Sequence, residues 1–410
     1  MRSLYCLKRT VNKTKLSMRS LCTLFDSLIK PIVLYGAPLW CPSMSVTKTL
    51  CKIFSSSTSN SDHTSFLRKV SLVNCEKVHL NFLKWALGVN RRAPNLGTWG
   101  ETGRYPLIYD CIKLTLTYIK RLQSHDDNSL VVLAFKEQQK LKLEWFRHIE
   151  PILGIDESYS VDHVTVFKRS KSQPAPPNNR PPREDFLIHN GFAKYIPKQT
   201  TRPRISKLFT PFKIIKNLKS HFKEAWESSK HTSPRMEFYD RNKIKFCKEN
   251  YLDCISNYFD RANLTKLRIS AHDLEIEMGR RKNIPRKDRF CKWCISSSGT
   301  KIIEDEDHIL HNCSLYSSAR QKTIQLASEV IGYLPPQADL MSLLNYSSIV
   351  QNTSQHNPSR VATREKQTII NVPCVPVIQA IAKFITTCLN TRTHKSQPPS
   401  VAAKKPRNTK

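Results

Sequence analysis

The chain has 410 residues, of which 66 are Lys or Arg and 33 are Asp or Glu, giving a formal net charge of +33. Such a surface attracts polyanions, and nucleic acid rewards many separate cationic contacts through counterion release, with a membrane surface as the weaker alternative. No apolar run reaches the roughly twenty residues needed to span a bilayer, and the basic amino terminus has no signal-peptide core, so we expect a nuclear or cytoplasmic protein that is neither secreted nor membrane-bound.

The sequence of residues 1–160 predicts a compact helical domain. Apolar residues at helical spacing indicate helices over 16–29, 70–87, 106–125 and 130–148. Gly88 stands where a left-handed cap would end the second of these helices. Between them, the sequence predicts extended or irregular chain over 32–40, after Pro31, and polar loops over 45–69 and 89–105.

The composition changes after this domain. Residues 161–204 are rich in proline and basic side chains, cannot bury a core and predict a disordered linker. Helical periodicity returns over 205–345, with helices predicted over 212–228, 239–259 and 264–278. Residues 346–410 predict a largely disordered basic tail with a short helix near 377–389. The predicted fold is therefore mainly α, with two helical domains.

One cluster of potential metal ligands lies in the second domain. Cys291 and Cys294 form a C-x-x-C pair, and His308 and Cys313 form an H-x-x-x-x-C pair thirteen residues later. Zinc prefers four such ligands in a tetrahedron, and a site with no open position is structural. The sequence thus predicts a structural Zn²⁺ in a CCHC knuckle. His311 is an alternative ligand, and buried thiols in a helical hairpin are the alternative to metal binding.

Basic residues precede this cluster. The segment GRRKNIPRKDR contributes six candidates for phosphate contact, which are Arg280, Arg281, Lys282, Arg286, Lys287 and Arg289. Trp293, inside the knuckle, either stacks on a nucleobase or packs against its own domain. Over 198–248 we expect the aromatic side chains to form core and the basic face to contact phosphates.

Two regions resemble one protein family. LFDSLIKPIVLYGAPLW resembles the entry to the thumb, a remnant of the palm/thumb junction, of LINE-type (non-LTR) retrotransposon reverse transcriptases, and VNCEKVHLNFLKWALGVNRRAPNLGTWGETGRYPL resembles the thumb itself. SPRMEFYDRNKIKFCKENYL, LTKLRISAHDLEIEMGRRKNIPRKDRFCKWC and EDEDHILHNCSLYSSAR resemble the zinc-binding carboxy-terminal part of the same proteins. The resemblance implies a thumb that grips a template–primer duplex and a knuckle that binds RNA or DNA. It places Arg91, Arg92 and Arg104 in a thumb motif, where they could reach phosphates or cap carbonyls.

The segments that resemble the family do not include the residues that would catalyse polymerisation. The family holds two magnesium ions on palm carboxylates, whereas the adjacent Asp126 and Asp127 lie in a polar break between helices and are interpreted as helix-end residues. The sequence after the knuckle does not contain the residue pattern of an endonuclease active site. We therefore expect a non-catalytic fragment that binds RNA or DNA. The alternatives are a truncated gene of an active RNA-directed DNA polymerase and a degenerate product that does not fold. Neither an RNA-versus-DNA preference nor an oligomeric state follows from the sequence.

Overall fold

The structure is a computed structural model that describes residues 2–43, 47, 60–126, 128–153, 210–331, 340–341, 344 and 374–395. Within these ranges every regular element is a helix, and strand-like pairing is limited to two isolated bridges, Thr102 with Lys248 and Phe290 with Ile303. The prediction of a mainly α fold is confirmed for the described part of the chain. The predicted linker over 161–204, most of the tail, and Asp127 lie outside the described residues.

The helices fall into three stretches of sequence. The first stretch contains α1 (Arg2–Thr10), α2 (Met18–Leu24), α3 (Lys30–Val33), α4 (Ala37–Trp40), α5 (Asn60–Leu72), α6 (Asn74–Leu87), α7 (Asn95–Thr102), α8 (Ile108–Ser124), α9 (Leu130–Lys140) and α10 (Glu144–Leu153). The second contains α11 (Pro211–Thr232), α12 (Glu237–Asn242), α13 (Tyr251–Cys254), α14 (Tyr258–Arg268), α15 (Glu275–Arg281), α16 (Lys292–Ser298) and α17 (Ser317–Ile331). The third is α18 (Cys374–Lys395). Turns of π-helix lie at Phe25–Ile29 and His308–Asn312.

Local capping explains several helix ends. Gly88 adopts a left-handed conformation with φ 72°, and its amide donates to Trp85 O while the next amide donates to Lys84 O. This is the predicted stop of α6. At the start of α9, the Ser129 hydroxyl accepts a hydrogen bond from the Val132 amide at 3.4 Å, as expected of an N-cap serine.

The chain is helical over 30–33 and 37–40 with a turn at 34–36, so the prediction of extended or irregular structure over 32–40 was wrong for most of its length. Pro31 and Pro38 each stand in the first turn of a short helix, α3 and α4. Proline is tolerated there because a first-turn amide has no partner within the helix. Gly36, with φ 65°, turns the chain between the two helices.

Two predicted loops contain helices. α5 begins at Asn60, inside the predicted loop 45–69, and α7 occupies much of the predicted loop 89–105. The two glycines of α7 lower its intrinsic helix propensity, but they allow close packing. A Cβ at Gly97 would lie 2.7 Å from Ile269 Cβ, and one at Gly100 would lie 2.7 Å from Trp226 Cζ2. Tertiary contact, which periodicity does not report, explains this helix.

The later helices differ from the predictions in length. The long helices expected over 239–259 and 264–278 are replaced by the shorter α12 to α15, with Asn257 capping α14 by accepting from the Phe259 amide at 2.8 Å. α18 has 22 residues and exceeds the predicted helix at 377–389 on both sides. It packs against α14 and α17, burying Ile381, Ile385 and Cys388, so this part of the tail is ordered by contact.

The two predicted domains share a buried core. α11 packs against α5 and α8, and the Phe222 ring contacts the rings of Trp99 and Tyr109. The Trp226 indole N–H donates to Leu96 O at 3.0 Å. Arg268 Nε lies 3.1 Å from Glu101 Oε2, and both side chains are almost completely buried. Apolar and charged contacts thus join residues 2–153 to residues 210–331.

Candidate metal centre and its basic surface

Four side chains converge beside α16. Cys291 precedes this helix, Cys294 lies in its first turn, His308 begins the second π-helical turn, and Cys313 directly follows that turn. All four are buried, and their ligand atoms lie within 4.8 Å of one another. The predicted ligand set is therefore assembled in space. His311, the alternative ligand, is not a member of this cluster.

The distances fit one four-coordinate ion. Cys294 Sγ lies 3.4 Å from His308 Nε2 and 4.0 Å from Cys313 Sγ. Zinc–sulfur and zinc–nitrogen bonds of about 2.3 and 2.0 Å in a tetrahedron imply S···S edges of about 3.8 Å and S···N edges of about 3.5 Å. The cluster can hold a metal ion with protein ligands alone, which is the arrangement of a structural site.

Short backbone contacts bring the two ligand pairs together. The Cys291 amide donates to Ile302 O at 2.8 Å, and the Glu304 amide donates to Arg289 O at 2.9 Å. These bonds flank the bridge between Phe290 and Ile303. Gly299, with φ 70°, ends α16 and lets the chain return. The C-x-x-C turn is thereby held against the segment that leads to His308.

The π-helical turn sets the second ligand pair. Its defining hydrogen bond runs from the Cys313 amide to His308 O at 2.8 Å, so residues five apart share one side of the turn. The Asp305 carboxylate caps the turn by accepting from the His308 amide at 2.8 Å. Arg320 donates to the carbonyls at the other end, including that of Cys313 at 3.0 Å.

The acidic residues before His308 have different roles. Glu304 pairs with Arg392 of α18 at 2.7 Å, and Glu306 accepts from His272 Nε2 and the Ser270 hydroxyl, each at 2.8 Å. Both carboxylates are buried. Only the carboxylate of Asp305, among the acidic side chains of 304–307, caps the turn. Its pKa is raised, chiefly by burial.

The thiols of the centre differ in acidity. A hydrogen bond from Cys313, with further ones from His308 and Cys294, lowers the pKa of Cys291 to about 3. The pKa of Cys313 is raised because its thiol donates to Cys291, and burial raises the pKa of Cys294. The cluster therefore stabilises a thiolate, which is the form of cysteine that binds metal.

Six of the ten predicted nucleic-acid contacts lie on the surface. Arg91, Arg92, Lys282, Arg286 and Lys287 are exposed, and the Trp293 side chain is 36% exposed. Trp293 shares α16 with Cys294, so it stands directly beside the metal centre.

The other predicted contacts are engaged within the protein. Arg104 pairs with Asp26 and donates to His79 Nε2 at 3.3 Å. The remaining three form partly buried internal bonds: Arg280 with Glu277, Arg281 with Asp273 and His272 O, and Arg289 with Ile284 O and Ile276 O. A phosphate contact at these four positions would compete with existing bonds.

Sequence reasoning missed the arginines that support the centre. Arg320 and Arg392 hold the π-helical turn and Glu304, while Arg235 and Arg241 line a cavity beside it. The partners of Arg392 and Arg241 lie 66 or more residues away in the chain. No local pattern of residues signals such pairs.

Comparison of the chain with protein-family models, curated proteins and solved structures found no match. Among the described residues no helix combines the length and apolar character that a bilayer span requires.

Proposed function

We propose that this chain is a non-catalytic, carboxy-terminal part of a LINE-type retrotransposon reverse transcriptase that binds RNA or DNA. Basic helical surfaces contact phosphates, and the CCHC knuckle holds a structural zinc ion that fixes the shape of the binding surface. We expect no primer extension from the chain alone with Mg²⁺ and nucleotides.

The observation that carries this proposal is the convergence of Cys291, Cys294, His308 and Cys313 on a unit with exposed cations. A closed metal site organises a small surface without supplying an open coordination position. Lys282 and Lys287 are exposed in the segment before the knuckle. With a net charge of +33, the chain has a strong electrostatic reason to bind a polyanion.

The test is the salt dependence of binding. Fluorescence anisotropy with labelled 20-nucleotide single-stranded RNA and DNA should show affinity falling by more than about tenfold between 50 and 200 mM KCl, since several phosphate contacts release counterions. Affinity that does not change over this range would overturn the proposal.

Charge-removal variants locate the surface. Replacing Arg91, Arg92, Lys282 and Lys287 by Ala should weaken binding and flatten its dependence on salt. The control removes four charges from α8 and α9, as Lys113→Ala, Lys120→Ala, Lys136→Ala and Lys140→Ala, and should cost less affinity. Equal losses in the two variants would count against the proposed surface.

A further inference from the structure

A cavity of about 450 Å³ lies beside the metal centre, between α12, α15 and the turn that carries His308. This volume is within the range of small-ligand sites in proteins. Five arginines and five acidic residues line it. The cavity is therefore rich in charge but balanced in sign.

This balance bears on the kind of ligand. A site for phosphate alone needs an excess of donors, whereas this cavity offers guanidinium donors and carboxylate acceptors together. A nucleobase presents donors and acceptors on one planar edge, and single-stranded bases are recognised through those edges. The lining thus favours an unpaired base over an isolated phosphate.

Polar side chains that line the cavity can still form hydrogen bonds to a ligand. Arg286 donates to Glu237 at 2.9 Å and Arg241 donates to Asp307 at 2.5 Å, and both arginine side chains are more than half exposed. A guanidinium carries five N–H donors, so one hydrogen bond leaves donors for a ligand. Asp305 accepts from the His308 amide and has no cationic partner within 4.0 Å in the described part of the chain.

We propose that this cavity binds the base of one unpaired guanine in the RNA or DNA that the chain holds. The Asp305 carboxylate accepts from the guanine N1–H and 2-amino groups, and Arg286 donates to O6 and N7. Guanine presents two adjacent donors beside two adjacent acceptors, which suits a cavity lined by both a carboxylate acceptor and a guanidinium donor. This inference rests on the proposed function and adds a base preference to it.

The probe is a labelled 12-nucleotide oligouridine with one central guanosine. The matched probes carry inosine, which lacks the 2-amino group, or adenosine or uridine at the same position. We expect the guanosine probe to bind the full chain at least roughly 5-fold more tightly than the uridine probe, because a single bidentate base contact already provides about that discrimination. The inosine probe should fall between them.

Two variants test the assigned residues. Asp305→Asn keeps an oxygen that can accept from the His308 amide and Arg286→Gln removes the guanidinium. Each should abolish most of the guanosine preference, measured as the ratio of the guanosine-probe affinity to the uridine-probe affinity within the same variant. Lys287→Ala is the control, and it should weaken binding to all four probes by the same factor because a phosphate contact does not distinguish bases.

The outcomes separate this inference from the proposed function. Equal, salt-dependent binding of all four probes overturns the base site and leaves nucleic-acid binding intact. If none of the four probes binds, both the base site and the proposed nucleic-acid binding are overturned. If Asp305→Asn no longer contains metal, the test rests on Arg286→Gln alone. A guanosine preference that persists in Arg286→Gln overturns the assignment of the guanine contact to Arg286.

Discussion

At the residue scale, metal binding is tested most directly at the four converging residues Cys291, Cys294, His308 and Cys313. Purified protein should contain one zinc per chain, and Cys291→Ala or His308→Ala should remove it, because three remaining ligands no longer complete the tetrahedron. Elemental analysis by mass spectrometry measures this. Cys6→Ser, on the exposed side of α1, is the matched control and should retain the metal. Full zinc occupancy in His308→Ala would assign the fourth ligand elsewhere.

Lys84 predicts a pH dependence of stability. Burial, with a smaller contribution from Arg235, lowers the pKa of Lys84 from 10.5 to about 8, and its ammonium donates to Arg91 O at 3.0 Å. Between pH 8 and 10.5 the unfolded chain holds more protons at this residue, so the free energy of unfolding should rise with pH in that window. The variant Lys84→Met should lack this rise.

Urea unfolding at pH 7.5 and pH 10 measures the effect. The difference in unfolding free energy between the wild type and Lys84→Met should shift in favour of the wild type at the higher pH. Parallel pH profiles for the two proteins would contradict the lowered pKa.

The candidate site was predictable from the sequence to the extent that its ligands are local. The C-x-x-C and H-x-x-x-x-C spacings identify all four converging residues, because each pair lies within one turn of chain. Whether an arginine is exposed or paired within the protein could not be predicted from the local sequence. Arg104 pairs with Asp26, which lies 78 residues earlier, and that pairing depends on how the π-helical turn Phe25–Ile29 and the chain before α8 meet.

α7 depends on close packing at both of its glycines. A Cβ at Gly100 would overlap the Tyr239 hydroxyl and crowd the Trp226 ring, so Gly100→Ala should lower the stability by about 1–3 kcal/mol through overpacking. Thermal unfolding followed by circular dichroism measures the loss. Tyr239→Phe is an informative background, since the buried Tyr239 hydroxyl has no hydrogen-bond partner within the described residues.

The double variant Gly100→Ala with Tyr239→Phe should recover part of the lost stability, because it removes the nearest obstructing atom. Tyr239→Phe alone should change stability little. No recovery in the double variant would show that the Trp226 ring, and not the hydroxyl, limits the space.

α18 ties the end of the described chain to the metal centre. Arg392 donates to Glu304 and Glu275 at 2.7 and 3.1 Å, and Glu304 is part of the backbone that faces Cys291. Arg392→Gln should therefore speed the loss of zinc to a chelator several-fold while leaving the bound stoichiometry unchanged. A colorimetric zinc indicator follows the rate, and an unchanged rate would separate α18 from the stability of the centre.

Helices that local sequence determines could be predicted, and helices that depend on contacts with distant segments could not. α6, α8 and α11 follow from apolar periodicity, and Gly88 marks an end by its own conformational freedom. α7 could not be predicted, because its glycines are explained by Trp226 and Ile269 on other segments. α3 and α4 were missed because a proline gives the same signal when it breaks a helix as when it begins one.

At the scale of the whole molecule, the buried ion pair between Glu101 and Arg268 joins residues 2–153 to residues 210–331. Burial alone would lower the pKa of Arg268, but the carboxylates of Glu101 and Glu249 outweigh it and raise that pKa. Glu101→Gln leaves the guanidinium with less compensation, and breaking a buried pair costs about 3–5 kcal/mol. Urea unfolding should show a loss of this size.

The control for this prediction is Glu237→Gln, which breaks an exposed pair with Arg286 and should change stability by no more than about 1 kcal/mol. Similar losses for the two variants would mean that the Glu101–Arg268 pair does not stabilise the contact between the segments.

The core shared by residues 2–153 and 210–331 has a consequence for synthesis on the ribosome. Arg268 leaves the ribosome 115 residues after the last residue of α10, a delay of roughly 6 to 23 s at about 5–20 residues per second. Until then Glu101 lacks its guanidinium, and Trp99 lacks the Phe222 ring for the shorter time needed to add the 69 residues from Leu153 to Phe222. The nascent segment 2–153 therefore has apolar surface that stays uncovered for seconds during translation.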